Sequence, residues 1–219
     1  MFVGHYGPAL ALKRWSPATP IVVLVLAVQL VDVAWATFVL TGIEHVRIVP
    51  GFTETNALDL YYMPYTHSLV GAALWALAAG AVTWFAMQRS LRPALAAGLA
   101  VFSHWLLDLI MHTHDLPLVD NSMKVGLGLW NYRWPALALE LATLLAGCVV
   151  YARGTRPRDR IGGIGLWLFA AVLVVTQVGL LLGPQPPSPR ANALSALAAY
   201  AAFALVARWI DRHREERAG

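Results

Sequence analysis

The sequence predicts an all-α, polytopic integral membrane protein. A single transmembrane domain over residues 1–219 holds six transmembrane helices plus a short N-terminal re-entrant or interfacial helix. Three observations predict this. Of the residues, 58% are apolar and only 13% charged, against roughly 25% charge in an average soluble domain. The apolar residues fall in continuous runs and do not alternate as barrel strands do. Six of these runs approach the length of about 20 residues that a helix needs to cross a bilayer core. The charge deficit excludes a disordered chain and argues against a soluble enzyme. The lone Cys148, a small apolar filler, excludes a disulfide scaffold. The net charge of +4 is dispersed between apolar runs, which argues against nucleic acid as a partner.

The N-terminal stretch from Gly4 to Arg14 comes first. Pro8 suits a first helical turn. A helix of roughly ten residues reaches about 15 Å, half a bilayer. It either lies on the surface with His5 solvated or re-enters the bundle under protein cover and carries His5 toward the midplane. The spans then follow as Pro20–Leu40, Thr66–Met87, Ala94–His112, Trp134–Tyr151, Ile164–Leu182 and Ala193–Ile210. Lys13-Arg14 followed by Ala34-Trp35-Ala36 imitates a cleavable signal, but the apolar run continues to Leu40, which favours a retained span. Gly71-Ala72-Ala73 and Ala94 to Gly98 let helices approach closely. Gly183 to Pro189 holds four prolines and must be a loop.

With the N-terminus cytoplasmic, twelve Lys or Arg lie inside, against Arg47, Lys124, Arg133 and Arg190 outside. The positive-inside rule therefore places both termini in the cytoplasm. Tyr61, Tyr62, Tyr65, Trp130, Tyr132 and Trp134 suit an outer aromatic belt. The segment Arg153 to Arg160 reads as a topology signal, and the tail Arg208 to Arg217 as a frayed helix. Gly162-Gly163-Ile164-Gly165 lacks a preceding strand, so it is no nucleotide loop. His45, His114 and His213 read as solvated, and Thr176 and Gln177 as satisfying each other or a nearby backbone.

Ionisable groups inside spans are costly and mark function by default. Asp32, Asp108 and Glu140 lie inside spans; His67, His104 and His112 lie inside or at their edges. Helix rise places all six in the outer half of the bilayer. His104, Asp108 and His112 follow at one-turn steps and share one helix face. Imidazole and carboxylate at that spacing can grip a metal ion, or can form a polar stripe that holds helices together.

The order Gly4-His5, then Asp32, then Tyr65-Thr66-His67-Ser68, then Ser103-His104 to Asp108 resembles the bacterial family of membrane-bound metal-dependent hydrolases. The resemblance covers about residues 1–115. It implies a bacterial inner-membrane protein with His5, Asp32, His67, His104 and Asp108 as metal ligands, and it favours the re-entrant placement of His5. Two features depart from the family. Asp32 stands alone where two acids and a His are usual, and Tyr62-Met63-Pro64-Tyr65 replaces a His-Arg pair.

Nitrogen and carboxylate donors suit Zn²⁺, with Mn²⁺ or Fe²⁺ as alternatives. The expected activity is hydrolysis of a lipid or lipid-linked ester or phosphoester. In it His67 is a ligand or general acid, Ser68 supports His67, and Glu140 or His112 moves protons. Arg133 and Lys124 would hold a phosphate headgroup. Membrane lipids are the expected partners, and a homo-oligomer is compatible with the chain. Two alternatives use the same cluster: a proton- or ion-coupled transporter, or a structural protein whose polar groups only orient helices.

Overall fold

Backbone polar groups in lipid must be satisfied internally, so long apolar runs resolve into helices. In the computed structural model, which describes residues 1–217, eight α-helices form. Five are long and apolar enough to cross a membrane: α4 (Leu69–Ala86), α5 (Leu91–Met111), α6 (Arg133–Gly154), α7 (Arg160–Leu182) and α8 (Pro189–Arg212). The pair α2 (Ile21–Val28) and α3 (Leu30–Thr41) is together long and apolar enough for a sixth, as a broken span or a re-entrant loop. The chain is thus all-α and built as a polytopic membrane protein. Leu77 is 71% and Val175 is 70% exposed, as side chains that face lipid must be.

Caps shift the helix ends from their sequence-predicted places. Ser68 Oγ accepts from the Gly71 amide at 2.9 Å, so α4 begins at Leu69 and leaves Thr66 and His67 outside it. Asp159 and Ser188 cap α7 and α8 in the same way, and Pro189 occupies the first helical turn of α8. The amide of Gly162 and the His213 ring hold the Asp159 carboxyl below the usual carboxylate range.

The first span is not one continuous helix. It bends by 52° at Gln29, where φ is −100° and ψ is 1°. The bend turns the Val28 carbonyl toward His104 Nδ1, 2.8 Å away. A side chain on another helix thus takes a backbone acceptor at the break, a recognised cause of kinks.

Helix α1 (Tyr6–Trp15) is inserted into the bundle, so the surface placement of His5 does not hold. Val3, His5, Tyr6 and Ala9 are fully buried. The insertion needs a close approach to α6. A Cβ on Gly7 would collide with the Thr143 carbonyl, and one on Gly147 with the Gly7 carbonyl. Small residues at a membrane helix crossing allow this contact. At the far end of α1, Lys13 Nζ donates to the Pro17 carbonyl at 2.6 Å and the Thr19 carbonyl at 3.1 Å.

Two short sheets close the ends. Strands β1 (His45–Ile48) and β2 (Leu58–Tyr62) pair antiparallel, with Ile48 opposite Leu58. They roof the bundle beside the segment 112–132, to which Thr55 Oγ1 donates at the Trp130 carbonyl, 3.1 Å away. At the opposite end β3 (Thr155–Pro157) pairs with β4 (Arg214–Glu216). The tail from Arg208 is therefore ordered helix through Arg212 and strand from Arg214 to Glu216, rather than a frayed helix throughout. Arg214 Nε donates to Thr155 Oγ1 at 2.8 Å, its guanidinium also reaches the Gly162 carbonyl, and His213 pairs with Asp159 at 2.6 Å.

Replacing Gly147 with Leu should force α1 away from α6. The expected cost is about 1–3 kcal/mol, read as a lower thermal midpoint in detergent.

Candidate metal centre

The cluster is built by the chain segments that meet below the roof. The turn before α1 supplies His5, α3 supplies Asp32, the segment before α4 supplies His67, α5 supplies His104 and Asp108, and the C-cap of α5 supplies His112. His112 lies just beyond the helix in extended backbone, yet its Nε2 remains 3.7 Å from Asp108 Oδ2. All six side chains point to one place. His104 Nε2 lies 3.1 Å from Asp108 Oδ2 and 3.5 Å from Asp32 Oδ1. His67 Nε2 lies 3.3 Å from Asp32 Oδ1 and 3.8 Å from Asp108 Oδ2. His5 Nε2 lies 3.3 Å from Asp108 Oδ1. The His5 ring stacks on the His104 ring at 3.7 Å and 9°. The amino group of Met1 also reaches Asp108 Oδ1, at 2.6 Å.

The outer partners of the rings fix which nitrogen carries the proton. A carbonyl only accepts, so His104 Nδ1 must donate to Val28, and in the neutral ring its Nε2 keeps a lone pair. The Thr66 hydroxyl donates to Glu44 Oε2 at 2.6 Å, so at His67 Nδ1, 2.8 Å away, it must accept. His67 Nε2 is therefore also a lone-pair donor. His112 Nδ1 gives its proton to Asp115 Oδ1 at 3.0 Å, with the same result. Neutral imidazoles held this way through Nδ1 present Nε2 to a metal, as second-partner hydrogen bonds do in known metal sites.

Three inward-facing lone pairs and two carboxylates in buried surroundings repel one another unless positive charge lies between them, and the Met1 ammonium supplies it only at Asp108 Oδ1. His104 Nε2 and both nitrogens of His5 have no hydrogen-bond partner among the described residues. Two triads have ligand atoms close enough together for one ion: His5, His104 and Asp108, and Asp32, His67 and His104. This buried His/Asp group can therefore hold a metal ion. His104 offers one free nitrogen and belongs to both triads, which makes it the pivot of the site.

Neighbouring residues hold the cluster in shape. Tyr200 donates to Asp32 Oδ2 at 2.9 Å and leaves Oδ1 facing the imidazoles. Trp105 Nε1 donates to the His67 carbonyl at 3.0 Å and ties that loop to α5. Glu140 accepts from the amides of Phe2 at 2.9 Å and Gly4 at 2.7 Å, which anchors the segment bearing His5. Ser68, expected beside the His67 ring, instead caps α4; Thr66 has that place. Lys124 and Arg133 are engaged elsewhere, on the carbonyls of Tyr61 and Glu54. Thr176 bonds Val172, and Gln177 Oε1 finds no partner among the described residues.

The structure brings together the six His and Asp side chains that the sequence singled out; the Met1 amino group and the supports Glu44, Asp115 and Tyr200 were missed. Only Asp115 carried a signal, its three-residue spacing from His112. Glu44 sits in a loop 22 residues from its partner Thr66, with nothing to mark it. No protein-family model, curated protein or solved structure matches this chain.

If Thr66 orients His67, Thr66→Val should weaken metal binding by about 10–100-fold, as losses of such supports do. Thermal stability should change far less. Competition against a chelating dye measures the first, and a melting curve the second. Unchanged affinity in Thr66→Val would remove the orienting role.

Proposed function

We propose that this chain is an integral-membrane, metal-dependent hydrolase that acts on a lipid or lipid-linked ester or phosphoester. The proposed metal is zinc, and the proposed location is a bacterial inner membrane with the cluster in its outer half. The observation that carries the reading is the convergence of Asp32 Oδ1, His67 Nε2, His104 Nε2 and Asp108 Oδ2. Four of their separations run from 3.1 to 3.8 Å. Zinc bonds of about 2.0–2.2 Å in tetrahedral array space their ligand atoms about 3.3–3.6 Å apart. Resemblance to the membrane-bound metal-dependent hydrolases supports the same ligand set and adds His5, which stacks on His104.

A divalent ion bound here would bring the ionisation of a water toward neutral pH and polarise a carbonyl or phosphoryl oxygen. The side chains have distinct tasks beside it. His104 and Asp108 bind, and Asp32, steadied by Tyr200, completes the carboxylate pair. His67 binds through Nε2 with its ring fixed by Thr66. His112 lines the adjoining cavity, and Asp115 at its Nδ1 stabilises the protonated ring. It is placed to receive a proton from the attacking water and return it to the leaving oxygen. Glu140 lines the cavity too, but its oxygens are engaged by two backbone amides. That engagement favours an anchoring task over proton shuttling.

A second reading, a proton- or ion-coupled transporter, draws on the 52° break in the first span and the inserted α1. Broken helices beside buried carboxylates are what such transporters use. Stoichiometric metal separates the two readings. Elemental analysis of purified protein should find about one equivalent of zinc, lost in Asp108→Ala and in His104→Ala. Absence of metal after incubation with zinc would turn the assignment to a proton relay, testable by pH-driven flux in proteoliposomes.

A further inference from the structure

Beside the cluster lies a cavity of about 390 Å³, within the ~300–1,000 Å³ of small-ligand sites. Its deep end meets Asp32, Asp108 and His112. Its lining also takes in Leu180 and Leu181 of α7, Gln185 of the loop that follows, and Ala196 of α8. Leu180 is 55% exposed and Gln185 is exposed as well, so the mouth opens at the rim of the helices. The roof above, which also lines the cavity through Thr55, Asn56 and Leu58, is held by a bond from Thr55 to the Trp130 carbonyl. A ligand therefore arrives from the bilayer rim, with its apolar part along α7 and α8.

The charge of the wall decides what kind of headgroup fits. Among the described residues no Lys or Arg lines the cavity, and its one ammonium, the Met1 amino group, is already paired with Asp108, whereas Asp32, Asp108 and Glu140 all line it. That ammonium and one divalent ion together offset the three carboxylates and leave nothing over for an anionic headgroup. Such a group would leave a net negative charge buried in the site, which is costly in low dielectric. The lining also includes the neutral amides of Asn56, Gln177 and Asn192. Gln177 Oε1 is a buried acceptor with no donor among the described residues. It calls for a ligand that carries a hydroxyl.

Resting on the hydrolase reading above, we infer that the substrate is a neutral, single-chain carboxylic ester with a free hydroxyl, not a phosphoester. Its chain lies between α7 and α8, its hydroxyl donates to Gln177, and its ester carbonyl lies at the Asp32–His67–Asp108 end. In the reaction the oxygen of water bonds to the acyl carbon and the bond from that carbon to the alcohol oxygen breaks. The proton from water passes to the leaving oxygen, giving a fatty acid and an alcohol.

The test uses zinc-loaded full-length protein in lipid nanodiscs and two probes of equal chain length. One is hexadecylglycerol ether, neutral and not hydrolysable; the other is hexadecyl phosphate. Calorimetric titration should show the ether binding about tenfold tighter or more, from the unpaired-charge penalty. Equal or tighter binding of hexadecyl phosphate, or release of inorganic phosphate from it, would overturn the inference and leave the hydrolase reading standing. Protein that takes up no zinc would overturn the hydrolase reading, whichever probe binds. Ala196→Phe narrows the α7–α8 arm and should abolish ether binding while zinc content, the check on folding, stays intact. Gln177→Leu should weaken the ether several-fold. Wild-type binding in both zinc-loaded variants would place the ligand elsewhere and overturn the inference.

Discussion

Lone pairs that face one another in a buried space demand a positive charge between them, and much of this molecule is arranged around that demand. His67, His104 and His112 each give away the Nδ1 proton outward and turn Nε2 inward. The inward geometry persists only because the outer acceptors are rigid: a backbone carbonyl at a helix break, a hydroxyl committed to Glu44, and a carboxylate on a tight turn. Each acceptor belongs to a different segment, so loosening one segment frees one ring. The cost of burying these groups unpaired is what makes a bound cation the economical solution.

Packing supplies the second condition. The N-terminal segment could not reach the cluster if α6 presented side chains to it. Gly7 and Gly147 remove that obstacle, and Glu140 then gives the incoming backbone a carboxylate to bind. His5 can thus be fully buried against His104, although it stands on a short helix with polar residues at its far end. Lys13 stays tied to the carbonyls that follow α1, so the insertion has a fixed depth.

The helices and the donor residues were legible in the sequence because both obey local rules. Span length and one-turn spacing are properties of a single helix, and an Asp or His within lipid is conspicuous wherever it falls. The break at Gln29 was not legible, because an unbroken apolar run such as Ile21 to Val28 predicts continuous helix. Its cause, the His104 ring, lies 76 residues away in the chain. The same holds for Glu44 and Tyr200, which act across 22 and 168 residues. The β1–β2 roof escaped because its strands are short and lie among loop residues. Ser68 was assigned to the wrong neighbour, since adjacency in sequence suggested a contact that helix capping claimed first.

The position of the cavity mouth has one more consequence. If a ligand enters where the exposed lining lies, at Leu180 and Gln185 beside α7 and α8, as inferred above, it comes to the cluster out of the membrane. Its effective concentration is then a mole fraction in the leaflet, counted per lipid rather than per litre. Diluting such a ligand with inert lipid would slow its encounter with the protein at constant bulk concentration. Adding buffer would not. The thickness, packing and composition of the surrounding bilayer thereby become part of the site's kinetics, alongside the side chains that line it.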